Sequence, residues 1–600
     1  MKPHPIFLNI LLIGVFSFSL LTPEHVSGEA PELVSGVTPP ARMPAIDTTT
    51  ALPPLLNIAA IAAGRSHTCA LTFGGGVKCW GDNYNGQLGD GTKTTRLTPV
   101  NVSGLASGVI AITAGGSHTC ALTAEGGVKC WGWNKYGQLG DGTGKRHLMP
   151  VDVSGLASGV SAITAGYAHT CARTAGGGVK CWGYNSSGQL GDGTNTDRHT
   201  PVNVSGLTTE VSGIKAGGSH TCARISGGGV KCWGDNRSGQ LGDGTWEIRY
   251  TPVNVYGLAS GVSGITAGGQ HTCARTAEGR AKCWGANWSG QLGDGTTTER
   301  HRPVIVSGLA SGVSAISAGG SHTCALIVGG GVKCWGHNVS GELGDGTTTD
   351  RHTPVGVSGL ANGVGTIAAG GSHTCARTRG GEVKCWGANW YGQLGNGMTI
   401  RRLIPVNVVN TMLTKLNRSD GEYDGDILEK SEFSNLGGTI NAVATTFRLG
   451  DDAQDCQYRA ILSFDTSRLP DDAIITSAVL KIKKQGLVGG NPFTTHEGLL
   501  VDIKKPYFGK LLALAAHDFQ RVANDLAVGT FGTVPSSGLY SVTLRKPAYP
   551  YINLTGTTQL RLRFKLDDDD DNKADFMEFY SGNKQEPSDR PLLVIEYYMP

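Results

Sequence analysis

The chain lacks most features that announce an enzyme, a membrane protein or a nucleic-acid binder. It has no Gly-x-Ser-x-Gly nucleophile elbow, no His-Glu-x-x-His helix and no phosphate loop. Charged residues make up 16% of it, and the formal net charge of +3 is small for 600 residues, so no nucleic-acid partner is expected. Helical periodicity is missing throughout. The one long apolar run is Ile6–Leu21, flanked by Lys2. That run resembles a secretory signal peptide over residues 1–28, with an uncleaved anchor as the competing reading. No other stretch reaches the length of a membrane span, so no membrane association is expected once the signal is removed. The Cys-x-x-Cys spacing of zinc ribbons is absent as well.

What is abundant is glycine, at 91 residues, and cysteine, at 15. Fourteen cysteines form seven pairs ten residues apart, repeating every 51 residues. They are Cys69 with Cys79, Cys120 with Cys130, Cys171 with Cys181, Cys222 with Cys232, Cys273 with Cys283, Cys324 with Cys334 and Cys375 with Cys385. A fixed period near 50 built of short apolar runs and Gly-rich turns predicts an array of antiparallel β units. If Cys120 faces Cys130, then Thr123 faces Gly127 and three residues remain as the loop. Such a loop wants a left-handed residue at its third position, and all seven copies have Gly there, Gly75 and Gly126 among them. Directly opposed residues lie within disulfide reach, so each pair is expected to be a disulfide, with seven metal sites as the alternative. Export and disulfides support one another. Cys456 falls outside the pattern and is expected to be a thiol.

The repeated Ala-Gly-x-x-His-Thr, Gly-x-Val-x-x-Trp-Gly-x-Asn and Gly-Gln-Leu-Gly-Asp-Gly-Thr segments resemble the regulator-of-chromosome-condensation repeat. The resemblance covers residues 56–409 and implies a seven-bladed β-propeller, preceded by a Pro-rich linker over 29–55. The first unit lacks a preceding Pro-Val strand while Pro405–Val408 follows the last, and a ring in which the last strand completes the first blade accounts for both. Within that family, nuclear exchange factors work on chromatin, which export and disulfides oppose. The photoreceptor members' Gly-Trp-Arg-His-Thr motif stands here as Gly-Gly-Ser-His-Thr or similar. A secreted β-lactamase inhibitor shares the implied fold, and none of its functional residues transfers.

The seven repeat histidines (His67, His118, His169, His220, His271, His322, His373) read as structural ties in preference to a ring of ligands. The repeat tryptophans are expected to pack between blades, and the Lys preceding each second Cys to be solvated. Recognition is expected where copies differ. Those positions give a candidate ligand-binding rim of Tyr84, Trp133, Tyr136, Tyr184, Arg237, Trp246, Trp288, His337, Trp390 and Tyr391. Aromatic and Arg side chains of this kind suit protein hot spots and sugar rings. A second variable window follows Asp-Gly-Thr, for example Lys93–Arg96 and Gly144–His147.

After Val409 the period stops. Residues 410–600 contain β-type runs such as Tyr458–Phe464, Ile474–Lys483, Gln559–Lys565 and Leu592–Tyr598. Ile461–Asp465, Ala478–Ile482 and Arg590–Tyr597 resemble the DNRLRE-type β-sandwich of secreted bacterial proteins, similar to carbohydrate-binding modules. That resemblance implies a jelly-roll-like sandwich that attaches to polysaccharide. Asp567, Asp569, Asp571 and Asp575 crowd oxygens into one loop, so a structural Ca²⁺ is the one metal expected and no other cofactor is required. The expectation is an all-β, secreted, non-catalytic binding protein whose partner is an extracellular protein or polysaccharide. A polysaccharide hydrolase or lyase, and an inhibitor of a secreted enzyme, are the alternatives.

Overall fold

Each 51-residue unit folds as its four apolar runs dictate. In blade 1 these are Ile58–Ala63, His67–Thr72, Val77–Gly81 and Arg96–Asn101, hydrogen-bonded in that order into an antiparallel sheet. The next six blades repeat the pattern, ending with Arg402–Asn407. A computed structural model describes residues 54–598 apart from 411–412, 432–433, 472, 509–510, 537 and 567–571. The expected signal segment and nearly all of the linker lie outside the described residues. Pro54 and Leu55, assigned to the linker, belong to the ring instead: Leu55 is fully buried and its N–H donates to Val408 O at 2.8 Å.

The cysteine hairpin forms in the anticipated register. Cys120 lies opposite Cys130 with Cα atoms 4.1 Å apart, and the two are joined as a disulfide. The other six pairs match it: Cys69 with Cys79, Cys171 with Cys181, Cys222 with Cys232, Cys273 with Cys283, Cys324 with Cys334 and Cys375 with Cys385. All fourteen side chains are fully buried, and each sulfur is bonded to its hairpin partner, so the alternative of seven metal sites falls away. Thr123 N–H donates to Gly127 O, and Gly126 takes φ +80° at the third loop position. Each disulfide packs under the tryptophan of the following blade, Trp131 over Cys69 and Cys79, Trp182 over Cys120 and Cys130, and so on round the ring. Trp80 packs on Cys375 and Cys385, so the same contact closes blade 7 onto blade 1.

One expectation is corrected. The strand containing Pro405 does not complete the first blade. Arg402–Asn407 pairs with Val383–Gly387 of its own blade, and blade 1 has its own outer strand. The long loop between third and fourth strands returns the chain to the same sheet, so every blade is contiguous in sequence. Closure comes from packing and from Leu55 and Ile58 entering the core beside Val383, Leu394 and Val408.

Beyond Val409, twelve strands hydrogen-bond into one curled sheet. Strand Ile474–Val488 pairs along its first half with Leu592–Tyr598 and along its second half with Phe576–Tyr580, so it joins regions that a sandwich would keep in separate sheets. Phe447, Phe464, Leu480, Phe564 and Phe579 fill a single core. Cys456 is buried, takes part in no disulfide, and directs its thiol at Gln454 O. Asp567, Asp569 and Asp571 fall outside the described residues. Asp575 is buried and accepts from Gly490 N–H at 2.5 Å, and among the described residues no three metal-ligating side chains converge.

Candidate functional site

The invariant residues are consumed in holding blade to blade. Each repeat His directs Nε2 at the Thr hydroxyl of the next blade: His67 at Thr119 (2.9 Å), His118 at Thr170 (2.9 Å), and so on to His373 at Thr68 (2.8 Å). That Thr hydroxyl spends its proton on a carbonyl of the preceding blade, as Thr119 does on Gln87 O at 2.8 Å, where the indole N–H of Trp131 also donates. A hydroxyl with its proton committed can only accept from the imidazole, so Nε2 carries a proton, and complete burial keeps the rings neutral. Burial lowers their pKa to about 3 for His67, His169, His271 and His373 and to about 4 for His118, His220 and His322. The Gly before each is required by contact. A Cβ on Gly166 would lie 2.3 Å from His169 Cε1 and 2.4 Å from Gly217 O.

The loops between third and fourth strands are tied by the Asn that follows each Trp-Gly. Asn83 donates to Asp90, Thr92 O and Thr94 O, and accepts from Leu88 N–H. Part of the second variable window is scaffold as well. Arg96 pairs with Asp90 at 2.8 Å, and Arg198, Arg249, Arg300 and Arg351 pair with the equivalent Asp of their blades. Lys129, expected to be solvated, reaches Asp152 at 2.6 Å, and Lys180 reaches Asn203.

All the variable loops emerge at the end of the ring where the Ala-Gly-x-x-His turns surround the axis. That end holds a funnel of about 710 Å³, lined by the axial turns and by the variable loops of blades 1, 4 and 7. Its lining includes Trp390, Tyr391, Asp82 and Asp235, together with Arg65 and Tyr167. It narrows to a constriction walled by the Ala and Gly that end the seven innermost strands. Trp133, Tyr136 and Tyr184 form a connected row across blades 2 and 3, with centroids 5.3 and 4.6 Å apart. Tyr84 and Trp133 line a second cavity of about 220 Å³ with Lys135 and Arg146. Trp288 and Trp246 are exposed, the latter beside His301.

Two predicted rim residues are committed internally. Arg237 pairs with Asp235 at 2.8 Å. His337 bonds Glu342 at 3.1 Å, where the other blades have Gln. The Glu342 hydrogen bond raises the imidazole's pKa, while burial pushes the Glu342 carboxyl up and the His337 hydrogen bond, with other favourable contacts, brings it below its ordinary value.

Arg65 and Tyr167 escaped sequence reasoning. The signal was present: five copies have Gly at that position, and blades 1 and 3 do not. Both side chains stand in the funnel. Tyr167 is 42% exposed, yet partial loss of solvent in the funnel raises its phenol pKa, and the nearby Arg65 guanidinium opposes the shift. The sole charge of the seven innermost strands is Lys215, which is exposed, although the protein packed around the axis displaces enough solvent to draw its ammonium below its ordinary pKa.

The face is divided electrically. In blades 7, 1 and 2 the axial turns and the 82–96, 133–147 and 388–402 loops carry eight basic and three acidic residues. The corresponding segments of blades 3 to 6 carry five basic and ten acidic. The net values are +5 and −5.

The chain matches the profile described as RCC1-like domain over residues 28–325, and those described as regulator of chromosome condensation (RCC1) repeat over 313–342, 330–377 and 366–393. It is 33% identical over 368 residues to the ultraviolet-B receptor UVR8 of Arabidopsis thaliana, covering 60% of this chain and 83% of that one. It is also 33% identical to human E3 ubiquitin-protein ligase HERC2 over 334 residues, but these are 7% of the ligase. Among solved structures, yeast RCC1 (Prp20) bound to Kap60 superposes with TM-score 0.50 at 20% identity, covering 63% of this chain and 92% of that one. Human WBSCR16 gives TM-score 0.50 at 25% identity over 57% and 96%. The chain belongs to the RCC1-like family of seven-bladed propellers.

Proposed function

We propose that this protein is an exported, non-catalytic scaffold that holds a protein partner on the funnel face of its propeller, with the C-terminal unit attaching it to polysaccharide. One observation carries the first part. The repeated His, Thr, Trp and Asn are buried and hydrogen-bonded within the scaffold, whereas six of the ten variable rim residues stand exposed, with Trp390 and Tyr391 in the funnel lining. Yeast RCC1, a propeller of the same fold, has been captured bound to Kap60, which supports reading this propeller as a protein-binding platform. A catalytic role for the repeat histidines is disfavoured by their burial and their fixed Nε2–H form. Export is favoured by the apolar Ile6–Leu21 run and the seven disulfides.

The test is affinity capture from culture fluid with the whole chain, repeated with the double variant Trp133→Ala, Trp390→Ala. A partner held by the wild type and lost by the variant is expected, and equal capture by both would sink the reading. A glycan array with the whole chain tests the attachment, and binding of no polysaccharide overturns that half.

A further inference from the structure

The +5 and −5 arcs of the funnel face constrain the partner beyond its being a protein, and this step rests on that reading. Most cations of blades 7, 1 and 2 have no carboxylate partner among the described residues, although Arg146 and Arg401 each donate to a carbonyl, Tyr84 O and Val339 O. Lys93, Lys135, Lys145, Arg146 and Arg401 are exposed, as is Arg65 in the funnel. Blade 7 has Asn396 where other blades have the Asp that neutralises the next Arg, so Arg402 meets Met398 Sδ instead of a carboxylate. Aromatic side chains stand between these cations. Tyr84 and Trp133 wall the cavity of about 220 Å³ beside Lys135 and Arg146, and Trp390 and Tyr391 flank the funnel with Arg65. In blades 3 to 6 the repeated Asp residues are paired, but Asp197, Glu247, Glu299 and Asp350 add negative charge that no salt bridge among the described residues neutralises.

We propose that an acidic polypeptide segment of the partner lies across blades 7, 1 and 2. Its anionic groups face Arg65, Lys135 and Arg146, and an apolar side chain enters the cavity walled by Tyr84 and Trp133. Charge complementarity of this kind fixes orientation and speeds encounter. A long uniform polyanion, such as nucleic acid or uronate polysaccharide, would run from the positive arc onto the negative one. A protein segment can be acidic on one side and end there.

The probe is a fluorescein-labelled peptide of alternating Glu and Leu, compared with its Gln and Lys counterparts and with a heparin fragment, on the full chain. The Glu peptide is expected to bind tightest and to weaken as salt rises. It should lose roughly tenfold or more in affinity with the triple variant Arg65→Glu, Lys135→Glu, Arg146→Glu. The double variant Glu247→Lys, Glu299→Lys should not weaken it. All these positions are surface loops, and an unchanged melting temperature confirms that the variants fold. The proposal is overturned if the Gln or Lys peptide or heparin binds more tightly, if both variants act alike, or if the arcs instead pair two copies of the chain at rising concentration. A partner lost with Trp133→Ala, Trp390→Ala but retained with the reversed cations would overturn this inference and leave the protein-binding face standing.

Discussion

Acid should unfold this propeller far more steeply than its small net charge suggests. Seven histidines sit wholly buried and neutral in one closed ring of hydrogen bonds, with folded pKa values of about 3 to 4 against an ordinary 6.5. A depressed basic group binds its proton in the unfolded chain first. Stability is therefore complete above pH 6.5 and falls as pH drops toward 4. At pH 5 the unfolded chain holds close to one proton on each of the seven, and the native ring holds nearly none. Unfolding should take up about seven protons there, a slope of roughly 9 kcal/mol per pH unit. Between pH 6.5 and 5 the loss is on the order of 10 kcal/mol, comparable with the whole stability of an ordinary domain. Calorimetric unfolding at pH 5, in buffers of different ionisation enthalpy, counts the protons directly. His220→Gln retains a donor for the Thr272 hydroxyl and removes one titrating group, so it should lower the count by one. Proton uptake near zero at pH 5, or ring histidines titrating near 6.5 in the folded protein by NMR, would refute the buried neutral ring.

Three further outcomes follow from the same geometry. Replacing Cys273 and Cys283 by Ala reopens a ten-residue separation and should cost about 3 kcal/mol in denaturant unfolding without changing the fold, since the strands it joins are already neighbours. Gly166→Ala forces a Cβ onto His169 and Gly217 O and should destabilise by about 2 kcal/mol or more, read as a lowered melting temperature. Glu342→Gln should return the raised pKa of His337 toward its ordinary value by NMR titration, and adding His337→Asp should rebuild the Asp–Gln pair that blades 1 and 4 use.

The scaffold was legible because repetition makes it so. A hairpin loop of three residues ending in Gly126, opposite cysteines and a period of 51 leave little freedom, and the strands formed where the apolar runs stood. Strand assignment at the seam was not legible, because a repeat has no intrinsic beginning. Pro405–Val408 fits blade 1 or blade 7 equally by pattern, and hydrogen bonding to Val383–Gly387 decides it. The rim was legible only by type. Variation marked His337 and Arg237 as readily as Trp390, although Glu342 and Asp235 hold the first two in internal pairs that span five and two residues. Arg65 and Tyr167 show the opposite failure. They sit inside the most repetitive motif, where a departure from Gly looks like noise until the topology places all seven turns round one axis. The same holds for charge. Lys135, Arg146 and Arg401 are scattered along 267 residues of sequence, and become one positive arc once blade 7 is known to adjoin blade 1. A closed ring thus converts what a linear reading treats as distant loops into a surface with a direction, and that direction is what an orientation-specific partner would read.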